Sequence, residues 1–317
     1  MSKKRKKRRR TRTRPSAAVA APEVVEEAEV ETADEPEAEA TAAPRPGMRG
    51  APSPFSPFGV SMVRGLRAVG GQPTILATAF VSLLVTWVLF AAIGSILQPG
   101  LMGAAMSVPP MHLFLTDLGA ALSVGGSSLE GLAIVIGIFL LRAFTFGLLI
   151  ALLAQALQDG RTDLRAAVVS LPKAGVRLAA LLVVEATALL FANQIAAAFL
   201  ADLSILLLGA ALYFLVFVPI VGVVEDAPPR VALRRGLRAA RLPGTRHVSM
   251  VLGYFFIAVY AVLVSPFGPT SPATPGVAAW TYALGATFLH VSVLGAFTYR
   301  WLEVRDQVPS DPARRRR

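Results

Sequence analysis

The chain has 317 residues, 54% of them hydrophobic, with a mean hydropathy of +0.59 and a formal net charge of +11. This apolar content is well above that of a soluble domain of this length and favours an integral membrane protein. Cysteine is absent, which excludes disulfides, thiolate metal sites and a cysteine nucleophile.

Residues 1–60 form a polar segment that we predict to be a disordered cytoplasmic tail. It carries a basic block, Lys3–Arg14, then an acidic tract, Glu23–Glu39, and then a Pro- and Gly-rich stretch, Ala43–Pro57. None of these stretches buries enough apolar area to offset the entropy cost of an ordered chain. The basic block either attracts anionic lipid head groups or is a solvated tail that only helps to set topology.

Six apolar segments follow, each near the roughly 20 residues that a helix needs to cross the hydrocarbon core. They are Ile75–Leu97, Leu129–Leu157, Val176–Leu200, Leu203–Val224, Val248–Val264 and Val277–Tyr299. We therefore predict an all-α fold, a polytopic membrane helix bundle of six transmembrane helices arranged as three helix pairs with cytoplasmic amphipathic segments. In this prediction residues 61–305 form the membrane domain and residues 306–317 form a basic cytoplasmic tail.

The basic residues are distributed unevenly between the two ends of these segments. All but one of the 31 Lys and Arg lie before the first segment, after the sixth, in the connections that follow the second and fourth, or, for Arg177, in the first turn of the third segment. Cytoplasmic loops of membrane proteins carry such an excess of Lys and Arg. The pattern predicts a multi-pass protein of the cell (plasma) membrane with its N- and C-termini in the cytoplasm.

A pentapeptide is repeated ahead of two of the predicted membrane helices. Arg64–Ala68 and Arg235–Ala239 share the sequence Arg-Gly-Leu-Arg-Ala, and a proline follows each copy, at Pro73 and Pro243. A weaker third copy is Leu164–Ala166. Sequence repeats indicate a repeated structural unit. We predict a unit that consists of a short basic amphipathic helix on the cytoplasmic face and a following helix pair, present three times.

The segment Pro229–Leu242 has the clearest amphipathic pattern. Its apolar side is predicted to consist of Val231, Leu233, Leu237 and Leu242. Two prolines at its start and Pro243–Gly244 after it are typical of helix ends. One interpretation is a helix at the membrane surface that holds phosphate head groups or a protein partner, with predicted contacts at Arg234, Arg235, Arg238 and Arg241. The other is a charged connection that only follows the positive-inside distribution.

The stretch around this segment carries a resemblance to a known group of proteins. Pro219 is followed by Glu225–Asp226 and then by the basic run Val231–Arg238. This pattern resembles six-helix bacterial and archaeal membrane proteins, among them the membrane domain of some glycerophosphoryl diester phosphodiesterases and related uncharacterised families. Gly236 stands where those families usually carry Ser. The resemblance implies a six-helix membrane fold and a role in the membrane or envelope, without the phosphodiesterase catalytic domain.

Three ionisable residues lie inside predicted membrane helices, namely Arg142, Glu185 and His290. Such residues cost about 2.5–3.5 kcal/mol at a helix centre and usually face the interior of the bundle. One interpretation is a polar intramembrane site, in which Arg142 contacts an anion, Glu185 is its counter-ion or a proton acceptor, and His290 titrates beside them. The other is a buried Arg142–Glu185 pair that fixes helix packing.

The sequence contains none of the common catalytic signatures. It has no phosphate-binding loop, nucleophile elbow or His-Glu-x-x-His motif, and none of its three His has a metal-ligand companion at helical spacing. We therefore expect no enzyme activity, no cofactor and no metal. The first predicted function is a scaffold that organises the membrane or envelope, and the alternative is a small transporter or lipid-handling protein. Expected partners are the lipid bilayer, including anionic lipids, and a protein partner or a second copy of the chain, but no nucleic acid.

Overall fold

The computed structural model describes residues 53–92, 128–171, 203–263 and 276–309. Within these ranges the chain is helical and contains no strand, so the predicted all-α fold is confirmed for the described residues. A short stretch at 164–171 is also helical. The eight main helices are α1 (Phe58–Gly71), α2 (Pro73–Ala92), α3 (Leu129–Asp159), α4 (Leu203–Leu215), α5 (Phe217–Val224), α6 (Pro229–Ala240), α7 (Arg246–Leu263) and α8 (Val277–Val304).

Three of the described helices, α2, α3 and α8, are long and apolar enough to cross a membrane. They coincide with the first, second and sixth predicted spans. The third predicted span, Val176–Leu200, lies outside the described residues. The fifth, Val248–Val264, is helical as α7 through residue 263.

The fourth predicted span is divided into two helices, α4 and α5. The division falls at Val216, and the cause is Pro219 three residues later. A proline has no N–H to donate to the carbonyl four residues earlier, and its ring collides with that carbonyl. For Pro219 this carbonyl belongs to Leu215, the last residue of α4. The chain therefore interrupts its regular helix at this point.

Helix α8 is the centre of the bundle. It packs against α1, α2, α3 and α5, and residues 290–298 are all buried, so this part of the helix is enclosed on every side. A helix that is apolar on every side is typical of a protein core. Its own side chains include Phe297 and Trp301, both fully buried. Other elements are thus positioned by their contacts with α8.

The predicted boundaries of the membrane domain are too narrow at both ends. Residues 53–60 were predicted to be part of a disordered tail, but Phe55 is fully buried and α1 begins at Phe58. Residues 306–309 were predicted to belong to the C-terminal tail, but Val308 is buried. Single apolar side chains within polar segments fill the core here, and a composition average over the segment conceals them.

Candidate functional site at the arginine-rich end of the bundle

The four basic segments of the sequence meet at one end of the described bundle. Gln72, between α1 and α2, donates to the carbonyl oxygen of Gly160 after α3 at 2.9 Å. Arg235 in α6 donates to the carbonyl oxygen of Arg305 after α8 at 2.9 Å. Arg300 in α8 donates to the carbonyl oxygen of Arg246 at the start of α7 at 2.7 Å. The basic residues that are unevenly distributed along the sequence are therefore gathered at one end of the fold.

Helix α6 presents a row of arginines at this end. Arg234 and Arg238 are exposed on the helix, Arg241 is exposed at its C-cap, and Arg230 extends the row by one turn toward the start. We call Arg230, Arg234, Arg238 and Arg241 the arginine face. Sequence reasoning did not include Arg230, although its spacing of four residues before Arg234 places it on the same side.

The buried side of α6 is not the apolar side predicted from its sequence. The residues that pack inward are small, namely Ala232, Gly236, Ala239 and Ala240. Leu233, which was predicted to lie on the apolar side, is 39% exposed. A Cβ atom on Gly236 would lie 2.7 Å from Cγ2 and 2.9 Å from the backbone nitrogen of Val218 in α5. The close approach of α5 and α6 requires small residues, so the larger side chains occupy the flanks.

The guanidinium of Arg235 is engaged within the fold by several groups, and that of Arg238 donates to the carbonyl oxygen of Pro309 at 3.5 Å. Arg235 forms an ion pair with Glu225 at the end of α5 and donates to the carbonyl oxygen of Val308 at 3.1 Å. It also lies over the ring of Trp301, 5.3 Å from the ring centroid. Arg235 thus joins α5, α6 and the end of α8. The remaining predicted head-group contacts, Arg234, Arg238 and Arg241, are the exposed ones.

The two copies of the repeated pentapeptide occupy equivalent environments. Arg64 lies over the ring of Tyr299, 5.8 Å from its centroid, as Arg235 lies over Trp301. The following glycine of each copy lies at a close helix crossing, Gly65 against α8 and Gly236 against α5. The second arginine of each copy, Arg67 or Arg238, is exposed, and the final alanine is buried. In both copies, therefore, the first arginine lies over an aromatic ring of α8, and the glycine and the alanine pack inward.

A fully buried arginine, Arg300, holds the N-terminal segment to this end of the bundle. Its Nε donates to Ser61 Oγ at 2.9 Å, and its Nη2 donates to the carbonyl oxygen of Ser56 at 2.8 Å. Ser56 in turn donates from its backbone N–H and its hydroxyl to the carboxylate of Glu303. The guanidinium also lies over the ring of Phe55, 5.5 Å from its centroid. We call these contacts, with the Arg246 carbonyl, the Arg300 network.

Sequence reasoning missed Arg300 because it was counted with the C-terminal basic residues. The available signal was its position directly after an apolar run and between two aromatic residues, Tyr299 and Trp301. In the structure those two rings lie beneath Arg64 and Arg235, and the guanidinium of Arg300 lies over Phe55. The Arg300 network is thus a structural feature of the charged end.

His247 fills the space beneath the N-terminal segment. Its ring stacks on Phe55 and Phe217, with centroids 5.4 and 4.9 Å away, and its Nε2 lies 2.9 Å from the carbonyl oxygen of Tyr213. Burial, with a smaller contribution from the charge of Arg300, lowers the pKa of His247 to about 4, although the hydrogen bond to the Tyr213 carbonyl acts in the opposite direction. The imidazole is therefore neutral at pH 7 and donates through Nε2.

Two members of the predicted intramembrane set, Arg142 and His290, lie among the described residues. Arg142 in α3 is 4% exposed and its guanidinium lies over the ring of Phe90 in α2, 5.6 Å from its centroid. His290 in α8 has its Nδ1 3.0 Å from the hydroxyl of Tyr254 in α7. Glu185 lies outside the described residues. Each described member thus has a contact of its own with a different neighbouring helix.

A polar pair that the sequence analysis did not identify joins α2 to α3. The hydroxyl oxygens of Ser82 and Thr145 lie 2.7 Å apart in the buried interface. Hydroxyl pairs of this kind contribute about 0.6 kcal/mol on average between membrane helices. They also allow close backbone approach, which is the ordinary use of Ser and Thr at such interfaces.

Comparison of the chain with protein-family models, with curated proteins and with solved structures finds no match. The described residues form a helical protein. Three of its helices are long and apolar enough to cross a membrane, and its arginine-rich end is built around α8.

Proposed function

We propose that this protein is a non-enzymatic membrane scaffold whose arginine face binds anionic lipid head groups at the cytoplasmic surface. The observation that carries this proposal is the meeting of all four basic segments at one end of the bundle, with Arg234, Arg238 and Arg241 exposed there. Basic residues near an anionic membrane surface contribute about 1 kcal/mol each.

The support for a scaffold comes from how rigidly the arginine face is held. The opposite side of α6 packs against α5 through small residues, and Arg235 fixes the helix to α8. Arginines that project from a fixed helix lose less conformational freedom when they bind than arginines of a loose tail. A guanidinium also matches the geometry of a phosphate oxygen pair.

We propose further that the chain crosses the cell membrane six times, as three helix pairs, with both termini in the cytoplasm. The described helices α2, α3 and α8 support three of these crossings. The charge asymmetry supports the orientation, because the arginine-rich end corresponds to the side that the positive-inside rule assigns to the cytoplasm.

The described contacts favour the scaffold over the transporter alternative. Arg142 is packed against Phe90 and His290 is bonded to Tyr254, so both polar groups serve helix contacts. A transport site would need these groups to face a shared cavity. A polar site that includes Glu185 stays a prediction from the sequence, because Glu185 lies outside the described residues.

We also propose that this chain is related to the membrane domain of some glycerophosphoryl diester phosphodiesterases. The ion pair of Glu225 with Arg235 supports it, since this pair joins the acidic end of one helix to the basic helix that follows. Gly236 departs from the Ser usual in that group. Any Cβ there would meet Val218, so this chain packs α5 and α6 more closely than a Ser would allow.

The test is retention of phosphatidylglycerol by the purified protein, measured by native mass spectrometry. The variant replaces Arg234, Arg238 and Arg241 by Gln, and the matched control replaces three arginines of the tail, Arg315, Arg316 and Arg317, by Gln. We expect the α6 variant to lose bound phosphatidylglycerol and the tail variant to retain it. An equal loss in both variants, or in neither, contradicts the assignment of the head-group site to α6.

A further inference from the structure

The helical stretch 164–171, which follows α3, carries the most divergent copy of the repeated pentapeptide. Residues 162–166 read Thr-Asp-Leu-Arg-Ala, so Thr and Asp stand where the other two copies have the first arginine and the glycine. In those copies the arginine lies over an aromatic ring, the glycine lies at a close helix crossing, and the final alanine is buried. In the third copy the alanine, Ala166, is exposed. The third copy therefore does not pack as the other two do.

The stretch is nevertheless held in a fixed orientation beside α3. Asp163, just before it, donates from its backbone N–H to Gln155 Oε1 at 2.8 Å and accepts at its carboxylate from the N–H of Ala166 at 2.9 Å. Two side chains one turn apart, Ala167 and Leu171, are buried in the main core. The other six side chains of the stretch are exposed. One side of this helix thus packs on the bundle, and the rest of its surface is open.

The open surface divides into an apolar and a polar side. Successive residues of an α-helix lie about 100° apart around its axis, which places four of the six exposed side chains within an arc of about 140°. We call these four the aliphatic side, namely Leu164, Arg165, Val168 and Val169. The aliphatic side chains among them are 42%, 39% and 72% exposed in chain order. The remaining two exposed residues, Ala166 and Ser170, lie on the opposite side.

A helix with one side on a bundle, one aliphatic side and one polar side fits the surface of a membrane. Such helices lie in the plane of the membrane, with their apolar side about 5–10 Å into the boundary between head groups and acyl chains. Helix α3 is long and apolar enough to cross a membrane, and four residues separate its end at Asp159 from the stretch. The stretch therefore lies at the depth where a crossing α3 leaves the membrane.

The arginine in the middle of the aliphatic side fits the same location. The stem of an arginine packs along apolar neighbours while its guanidinium reaches toward the polar surface. A guanidinium also binds the oxygens of a phosphate with two parallel hydrogen bonds. Arg165, with Leu164 and Val168 beside it, is thus suited to the boundary between acyl chains and phosphates.

We propose that the stretch 164–171 is seated in the head-group layer of the membrane. Leu164, Val168 and Val169 insert among the first methylene groups of the acyl chains, and Arg165 binds lipid phosphates. The seat holds the arginine-rich end of the bundle at the level of the phosphates. The proposal rests on the membrane orientation given under the proposed function, but it involves other residues than the arginine face.

The experiment measures the membrane depth of single side chains. The chain has no cysteine, so one introduced cysteine can carry an environment-sensitive fluorophore in the whole protein. The protein is reconstituted into vesicles of phosphatidylcholine and phosphatidylglycerol that contain a lipid with a nitroxide either high on the acyl chain or near its end. The reporter is Val169→Cys, and the matched control is Ser170→Cys, the next residue, which is exposed on the polar side.

A second control reports whether the bundle crosses the membrane at all. Val81 is 57% exposed in α2 and lies eight residues after Pro73, about 12 Å along the helix axis. Val81→Cys should therefore be quenched most by the deep nitroxide. All three positions are exposed, so the substitutions leave the core unchanged.

We expect the fluorophore at Val169→Cys to emit at shorter wavelength and to lose most fluorescence with the shallow nitroxide. Ser170→Cys should emit as in water and keep its fluorescence. Quenching of Val81→Cys without quenching of Val169→Cys overturns the proposal and leaves the crossing of α2 intact, whereas loss of both signals overturns the membrane orientation as well. A short-wavelength emission at Val169→Cys without quenching means that protein covers this side, and equal quenching at Val169→Cys and Ser170→Cys contradicts the two-sided arrangement; both results overturn the proposal. The arginine-face test follows phosphatidylglycerol retention, so the two proposals can fail separately.

Discussion

Replacement of Gly65 by Ala tests the close contact between α1 and α8. A Cβ atom at Gly65 would lie 2.8 Å from the backbone nitrogen of Ala296 and closer still to the carbonyl oxygen of Ser292. Both atoms belong to the backbone of the central helix, which cannot rotate away. Overpacking costs about 1–3 kcal/mol, and a backbone clash belongs at the upper end. The higher helix propensity of Ala offsets about 1 kcal/mol of this cost, so the free energy of unfolding is expected to fall by about 2 kcal/mol.

The assay is the thermal unfolding of purified Gly65→Ala beside Gly70→Ala, a control in the same helix. A Cβ at Gly70 meets nothing within 4 Å, so this variant is expected to be neutral or slightly stabilised. We expect Gly65→Ala to lower Tm by about 4–8 °C for a domain of this size. The equivalent change at Gly236 should have the same sign. Equal Tm values for Gly65→Ala and Gly70→Ala would refute the reasoning that the repeat glycines are packing positions.

Three further predictions concern the charged end of the bundle. Arg300→Gln cannot keep all three donated hydrogen bonds and should destabilise the protein by about 3 kcal/mol, measured as a lower Tm, whereas exposed Arg241→Gln should change Tm little. Burial lowers the pKa of His247 from 6.5 to about 4 in the folded protein. The full stability is therefore present above pH 6.5, where the imidazole is neutral in both the folded and the unfolded state. The stability should fall by about 3 kcal/mol as pH drops from 6.5 to 4, and His247→Phe should remove that part of the pH dependence. Asp226 follows α5 with a φ of 46°, and Asp226→Gly should raise Tm, since glycine adopts this left-handed conformation without cost; a lower Tm would mean that the carboxylate stabilises the fold.

The helical character of the chain follows from its sequence because long apolar runs leave the backbone no partner except itself. The ends of α6 are equally local, as Pro228 and Pro229 begin it and the helix stops at Ala240 shortly before Pro243. Both features depend on residues that are near in sequence. They were predicted correctly, whereas the six crossings and their pairing stay predictions.

The buried face of α6 and the role of Arg300 depend on distant residues and were not predictable in the same way. Hydrophobicity predicted that Leu233 packs inward, but Val218 of α5 lies so close that only Gly236 and alanines fit. Arg300 is satisfied by the carbonyl oxygens of Ser56 and Arg246, which are remote in sequence. Such contacts arise from the packing of elements, which no local pattern contains.

The most direct test of the central claim is the location of the arginine-rich end relative to the membrane. The chain has no cysteine, so single cysteines can be labelled without background by a maleimide that does not cross membranes. The sites are Gly276→Cys at the start of α8, and Arg161→Cys and Asp306→Cys at the arginine-rich end, all at exposed positions. The account predicts that Gly276→Cys is labelled in intact cells and that the other two are labelled only after the membrane is permeabilised. Labelling of Arg161→Cys or Asp306→Cys from outside would contradict it.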